Sequence, residues 1–198
     1  KGQTLPEGTK ITVHPATYGE KIDRLPHNPE VWPNGSYLGS ARYLPHKQGA
    51  MVEKMIVDKA QILPLPKNVS LKSSALAEPL SVGMHAINLA GGVKGKKVLV
   101  SGAGPIGLLA AGAAYTIGAE SVMITDMLNE PLERAKDLGE IDTLNIKDKD
   151  VPEDYYDVVL ECSGATPAVT TAFKAVNIGG TIIQVGNIEN EKASINLG

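Results

Sequence analysis

The chain has 198 residues and a formal net charge of −3, so it lacks the basic excess that nucleic-acid or acidic-membrane binding requires. Aromatic residues make up 4% of it, too few for a base-stacking platform, and its single cysteine, Cys162, excludes a disulfide framework and a cysteine-based structural zinc site. At 42% apolar and 21% charged the composition is that of an ordinary soluble globular protein, for which a reducing cytoplasm is the natural setting.

The first 70 residues are rich in Pro, Gly and short β-like runs. "TKITVHP" and "AMVEKMIV" read as strands. Between them lies a long polar segment, "ATYGEKIDRLPHNPEVWPNGSYLGSARYLPHKQG", and a loop of that length is often functional. "ILPLPKNVS" reads as an extended connector, because a residue before proline is pushed away from helix.

The texture changes near Ser73. Ser73 or Ser74 caps a short helix in this reading, and Pro79 opens a second one that ends at Gly91 and Gly92. Strands and helices then alternate. "KKVLVSG", "SVMITD", "DTLNI", "YDVVLECSG" and "GTIIQVG" are the strands, and "PIGLLAAGAAYTIG", "NEPLERAKDLG" and "PAVTTAFKAVN" are the helices. Near-continuous Val, Ile and Leu runs suit a parallel sheet covered on both faces, so the expected class is α/β with a doubly wound sheet. The passage from third to fourth strand has only "KDKDVPEDYY", near the minimum of about 10–12 residues for a crossover. A crossover helix there is expected to be vestigial or absent, unless residues are omitted.

"VLVSGAGPIG" places Gly102, Gly104 and Gly107 in the G-x-G-x-x-G pattern between a strand and a helix. Asp126 ends the next strand, nineteen residues after Gly107, close to the spacing of about 20 expected for a ribose-binding acid. Gly102 permits the turn, Gly104 lets the backbone approach a pyrophosphate, and Gly107 lets helix and strand pack closely. Pro105 and Ile106 fill the first helical turn, whose N-terminus attracts an anion. Asp126 would bond the ribose hydroxyls and repel a 2′-phosphate, favouring NAD over NADP; it could equally cap the next helix. Glu130 and Glu133 reinforce this preference and Arg134 complicates it. Ligands of open parallel sheets sit outside the carboxyl ends of the strands. That points to Ser163 and Gly164 after the fourth strand and to Gly186 and Asn187 after the fifth, with ordinary turns as the alternative.

Laid in order, "EPLSVGMHA", "KVLVSGAGPIG", "ITD" and "LECSG" make the chain similar to the zinc-dependent medium-chain alcohol and polyol dehydrogenases, and to the sorbitol dehydrogenase group in particular. One loop, "GSARYLPHKQG", resembles that of the L-idonate 5-dehydrogenases. The resemblance implies that residues 1–80 form part of a GroES-like β-domain and residues 81–198 a Rossmann domain truncated at its C-terminal end. It implies reversible hydride transfer between NAD and a secondary alcohol of a polyol or sugar acid, assisted by one catalytic zinc. It also implies a homo-oligomer, dimer or tetramer. The family's other zinc ligands would precede Lys1, so the chain reads as a fragment of a longer enzyme. The competing readings are a sorbitol- or xylitol-type polyol dehydrogenase and an NAD-binding module without catalysis.

Glu78 stands before Pro79 in a small apolar run, where an acid is costly to bury without a partner. By resemblance it matches the family's acid at the zinc site, as ligand or as holder of the metal's water. The alternative is a helix-terminal carboxylate near the positive end of a dipole. His85 follows seven residues later and reads as structural. His14, His27 and His46 show no zinc-ligand spacing among themselves. His46, Tyr43 and Ser40 could line a substrate pocket or form a solvated loop. Cys162 reads as a buried small hydrophobe.

Overall fold

The computed structural model describes residues 5–40 and 44–188. The chain divides into two compact units, Lys1–Leu76 and Ala77–Gly198. The division falls where a helix begins, and the boundary expected after residue 80 lies inside that helix's first turn.

In the first unit β1 (Ile11–Val13) pairs antiparallel with β4 (Ile62–Pro64), and β2 (Ala16–Thr17) with β3 (Ser36–Tyr37). Gln61 knits the first pair: its side-chain amide donates to the His14 carbonyl at 3.0 Å, and the His14 N–H donates to the Gln61 carbonyl at 2.7 Å. Antiparallel strands agree with the expected β-domain. The long polar segment is less irregular than its composition suggests, because β2 and β3 lie within it, tied by a Thr17–Ser36 hydroxyl bond of 2.5 Å. "AMVEKMIV" is not a strand. Met51 and Ile56 are fully exposed there, and no described residue pairs with the segment as a ladder. Apolar alternation needs a sheet partner before it becomes a strand. Helix α1 (Leu71–Ser74) is capped by Ser70, whose hydroxyl accepts from the Ser73 N–H at 2.9 Å, rather than by Ser73 or Ser74.

The second unit opens with α2 (Ala77–Leu89), two residues earlier than Pro79. The first four N–H groups of a helix have no intrahelical partner, so a proline that lacks one is tolerated at the third position. Then come β5 (Lys97–Ser101), α3 (Pro105–Ile117), β6 (Ser121–Asp126), α4 (Asn129–Ala135), β7 (Asp142–Asn145), β8 (Tyr156–Glu161), α5 (Thr166–Ala175) and β9 (Val176–Gln184). The five strands are parallel in the order β7-β6-β5-β8-β9, as the doubly wound expectation requires.

Period-two alternation distributes the core between the two faces. Val98, Val100, Ile124 and Leu160 pack with Ala110, Ala111 and Ala114 of α3 and with Leu132 of α4. Leu99 and Val159 point the other way, with Val151, Tyr156 and the α5 alanines Ala172 and Ala175. The crossover from β7 to β8 runs through turns with no helix. It leaves a groove of about 480 Å³ beside α5, floored by Leu99, Ser101 and Thr125. Helix α5 stops at Ala175, short of the expected Asn177, and β9 starts at once. Its ladder slips between the pairs Tyr156–Val176 and Val158–Thr181.

Candidate cofactor site

The order of the sheet reverses at β5, which lies between β6 and β8, and the glycine turn sits at this switch point. Gly102 has φ +96°, in the left-handed region that favours glycine. Its N–H donates to the Thr125 carbonyl at 2.8 Å, tying the turn to β6. A Cβ at Gly107 would lie 1.9 Å from the Gly102 carbonyl oxygen, so the start of α3 presses directly on the turn. Gly104 differs. It is the N-cap of α3 with φ −68°, no side chain caps it, and a Cβ there would meet nothing within 4 Å. The space beside its backbone is open, at a helix end whose orphan N–H groups favour anions. Pro105 is exposed and Ile106 half-buried at the start of α3.

Asp126 anchors this turn. Its Oδ2 accepts from the Ala103 N–H at 2.8 Å and its Oδ1 from the Leu128 N–H at 2.9 Å. It does not cap α4, whose N-cap is Leu128; it forms the turn that leads into the helix. Arg134 pairs with Glu130 at 2.5 Å and Lys136 with Glu133 at 2.6 Å. These exposed pairs match the Arg134 charge and, equally, those of Glu130 and Glu133.

The strand-end residues of β8 and β9 come together. A Cβ at Gly164 would lie 2.4 Å from the Asn187 carbonyl oxygen, and one at Gly186 would lie 2.2 Å from the Gly164 nitrogen. A Cβ at Gly102 would lie 2.9 Å from the Ser163 nitrogen, so the turns after β5, β8 and β9 touch in sequence. Behind them sits a residue that the sequence reading passed over. Glu161, 0% exposed, accepts from the Ser163 N–H at 2.8 Å, from the Gly164 N–H at 3.0 Å, from the Ser163 hydroxyl and from the Gln184 side-chain amide. The signal was available, since an acid closing the apolar run "YDVVLEC" must be satisfied if buried. Cys162 beside it is half-buried; burial first, and the Glu161 charge second, push its thiol up to about 12.

The burial cost expected for Glu78 does not arise. The residue is exposed in the first turn of α2, and a carboxylate there interacts favourably with the helix dipole. His85 is also exposed on α2. Among the described residues no three His, Cys, Asp or Glu side chains gather as a metal site. A tetrahedral zinc takes four ligands, so the described residues do not complete one around Glu78. His27 and His46 are exposed, and the His14 ring contacts Tyr18 at 5.8 Å. Tyr43 lies outside the described residues. No helix among the described residues is long and apolar enough to cross a membrane.

A five-stranded parallel sheet with a glycine turn at its switch point and an acid at the end of the next strand defines a doubly wound α/β domain of the dinucleotide-binding type. Residues 105–198, just under half of the chain, match the family model described as zinc-binding dehydrogenase. It is 34% identical to sorbitol dehydrogenase 2 of Saccharomyces cerevisiae, over 96% of this chain and 58% of the relative. It is 32% identical to the L-idonate 5-dehydrogenase (NAD(P)(+)) of Escherichia coli, over 92% of this chain and 55% of the relative. The crystal structure of L-idonate 5-dehydrogenase from Escherichia coli superposes with a TM-score of 0.91 at 30% identity, covering 99% of this chain and 58% of that one. The chain thus spans a little over half the length of these relatives.

Proposed function

We propose that this chain is the larger part of an NAD-dependent, zinc-assisted oxidoreductase that interconverts a secondary alcohol of a polyol or sugar acid and the ketone. The observation that carries the reading is the turn at Gly102–Gly107. It is closed where the fold needs contact, at Gly107, and open where a pyrophosphate would approach, at Gly104. The N–H groups at the start of α3 would hold the pyrophosphate. Asp126, fixed by the Ala103 and Leu128 amides, would present its remaining lone pairs to the adenosine ribose, and its charge favours NAD. Ser163, Gly164, Gly186 and Asn187 would wall the other half of the cofactor, with Pro105 and Ile106 beside the phosphates. When bound, the dinucleotide supplies the hydride acceptor, and the protein's part is orientation and exclusion of water.

Glu78 is proposed as one residue of the zinc site of the longer protein, as ligand or as holder of the metal's water. The remaining ligands are not found among the described residues, so no catalytic step is assigned to the metal here. The resemblance of one loop and the superposition with the Escherichia coli enzyme support an L-idonate-type substrate. The sorbitol dehydrogenase likeness supports sorbitol or xylitol as the second reading. A cytoplasmic homo-oligomer, dimer or tetramer, completes the proposal.

The test is an NADH-absorbance screen of the full-length protein against L-idonate, sorbitol and xylitol, alongside zinc analysis of the wild type and Glu78→Gln. NAD reduction with one of these alcohols and stoichiometric zinc, lowered in the variant, support the proposal. Tight NADH binding with no turnover of any alcohol would instead identify a binding module without catalysis.

A further inference from the structure

We propose that Glu161 is a positioning residue for the cofactor cleft, a buried carboxylate that holds the β8 and β9 strand-end turns in the arrangement the dinucleotide needs. This rests on the dinucleotide reading above.

Glu161 occupies the last rung at the middle of the sheet, opposite Ser101 on β5 and Gln184 on β9. It is fully buried, and its partners are neutral amides and one hydroxyl rather than a cation. All of them donate, which matches the acceptor-only character of an ionised carboxylate. Oε1 takes the Ser163 N–H and hydroxyl, and Oε2 takes the Gly164 N–H and the Gln184 amide. Hydrogen bonds to a charged acceptor are stronger than neutral ones. The Gln184 amide also donates to the Gly186 carbonyl at 2.9 Å, and the Val185 and Gly186 N–H groups each donate to the Glu161 backbone carbonyl at 2.8 Å. One residue therefore fixes Ser163 and Gly164 through its side chain and Gly186 through its backbone and Gln184.

The glycine contacts turn this into a positional constraint. The 163–164 turn is wedged between Gly102 and the 186–187 turn at distances that leave no room for a Cβ. If the middle turn moves, both neighbours must move, and the one on the β5 side is the turn that would cradle the pyrophosphate. The four donor groups cannot all be served by an amide. Glu161→Gln keeps the shape but aims its NH2 at the two donors that one oxygen had served, and these must then shift or remain unsatisfied.

The experiment uses the full-length protein with NADH as the probe. We expect Glu161→Gln to raise the NADH Kd and the KM for NAD about tenfold or more, as loss of a charge-assisted bond implies. The KM for the alcohol, measured at saturating NAD, should change less than about twofold. Gln184→Leu, which removes one donor at an exposed position, should move the same two constants in the same direction by about threefold. It decides the matter should Glu161→Gln fail to fold. A role confined to stability would lower the melting temperature while leaving the NADH Kd of the folded protein unchanged, and that result would overturn the proposal. Wild-type protein that bound no NADH would overturn the dinucleotide reading itself, and the positioning role with it.

Discussion

Gly104 and Gly107 belong to the same pattern, yet substitution should separate what the ligand needs from what the fold needs. A Cβ at Gly107 would sit 1.9 Å from a backbone carbonyl oxygen, which cannot rotate away. Overpacking of that kind costs about 1–3 kcal/mol or more, a large part of a typical stability of about 5–15 kcal/mol. At Gly104 the Cβ would enter open space, and φ −68° suits any L residue. The remaining penalty is that alanine is a poorer N-cap than glycine, on the order of 1 kcal/mol. That corresponds to roughly 2–8 °C in Tm for a domain of this size. The open space at Gly104 is where the phosphates would lie, so the added methyl should weaken NADH binding at least about tenfold, the equivalent of about 1.4 kcal/mol. Thermal melts and NADH fluorescence titrations of both alanine variants supply the assay. Gly104→Ala should be folded and defective in binding; Gly107→Ala should be defective in both. A Gly104→Ala protein that bound NADH as tightly as wild type would refute the assignment of that space to the cofactor.

Asp126→Asn should lower the ratio of kcat/KM for NAD to that for NADP by at least about tenfold, and should cost about 1–3 kcal/mol of stability because two backbone amides lose a charged acceptor; an unchanged ratio would remove Asp126 from cofactor selection. Burial lifts Tyr156 from 10.0 to about 12 and Cys162 from 9.0 to about 12. The folded state thus holds both protons more tightly than the unfolded chain, and their contribution is whole below pH 9.0 and lost as pH rises through about 12. Denaturant midpoints should fall across that window, and less so in a Cys162→Ala, Tyr156→Phe double variant; equal slopes would argue against it. Native Cys162 should resist alkylation at pH 8 on the order of tenfold or more relative to the unfolded chain, as a thiol with so little thiolate must. Tyr156→Phe alone should be neutral or stabilising by about 1 kcal/mol, because the buried hydroxyl has no hydrogen-bond partner among the described residues; a clear loss of stability would show the hydroxyl to be satisfied.

The doubly wound half of the molecule was legible because each of its signals is local. The runs that became β5, β6 and β8 are apolar on both faces, and helix boundaries carry their own chemistry, such as Gly118 at φ +96° closing α3. The first unit was harder, since its strands are two or three residues long and depend on partners distant in sequence. "AMVEKMIV" has the residues of a strand without a described partner, and propensity alone could not reveal that. At the site, spacing located the glycine turn and Asp126, but not the bond from Asp126 to Ala103, which is a matter of side-chain geometry. An acid in an apolar run needs partners only where the fold buries it. Glu78 stands at a helix start in solvent, whereas Glu161 closes a central strand, and which of two acids ends up inside is decided by the sheet around it.

The absence of a helix between β7 and β8 bears on how this domain breathes. A crossover helix carries its own ladder of hydrogen bonds and resists lifting as a unit. Residues 146–155 hold no helix or strand, with Val151 buried against the sheet, an ion pair from Glu153 to Lys174 at 3.5 Å, and the Asp154 and Tyr155 N–H groups donating to the Lys174 and Ala175 carbonyls of α5 at 2.8 and 3.0 Å. Such a strap can detach by giving up a few contacts, below the free energy of global unfolding. Hydrogen–deuterium exchange should therefore find the amides beneath it, around Leu99 and Met123, less protected than the β5–β6 ladder alone would suggest. Proteolytic nicking of the native protein should begin in this same segment.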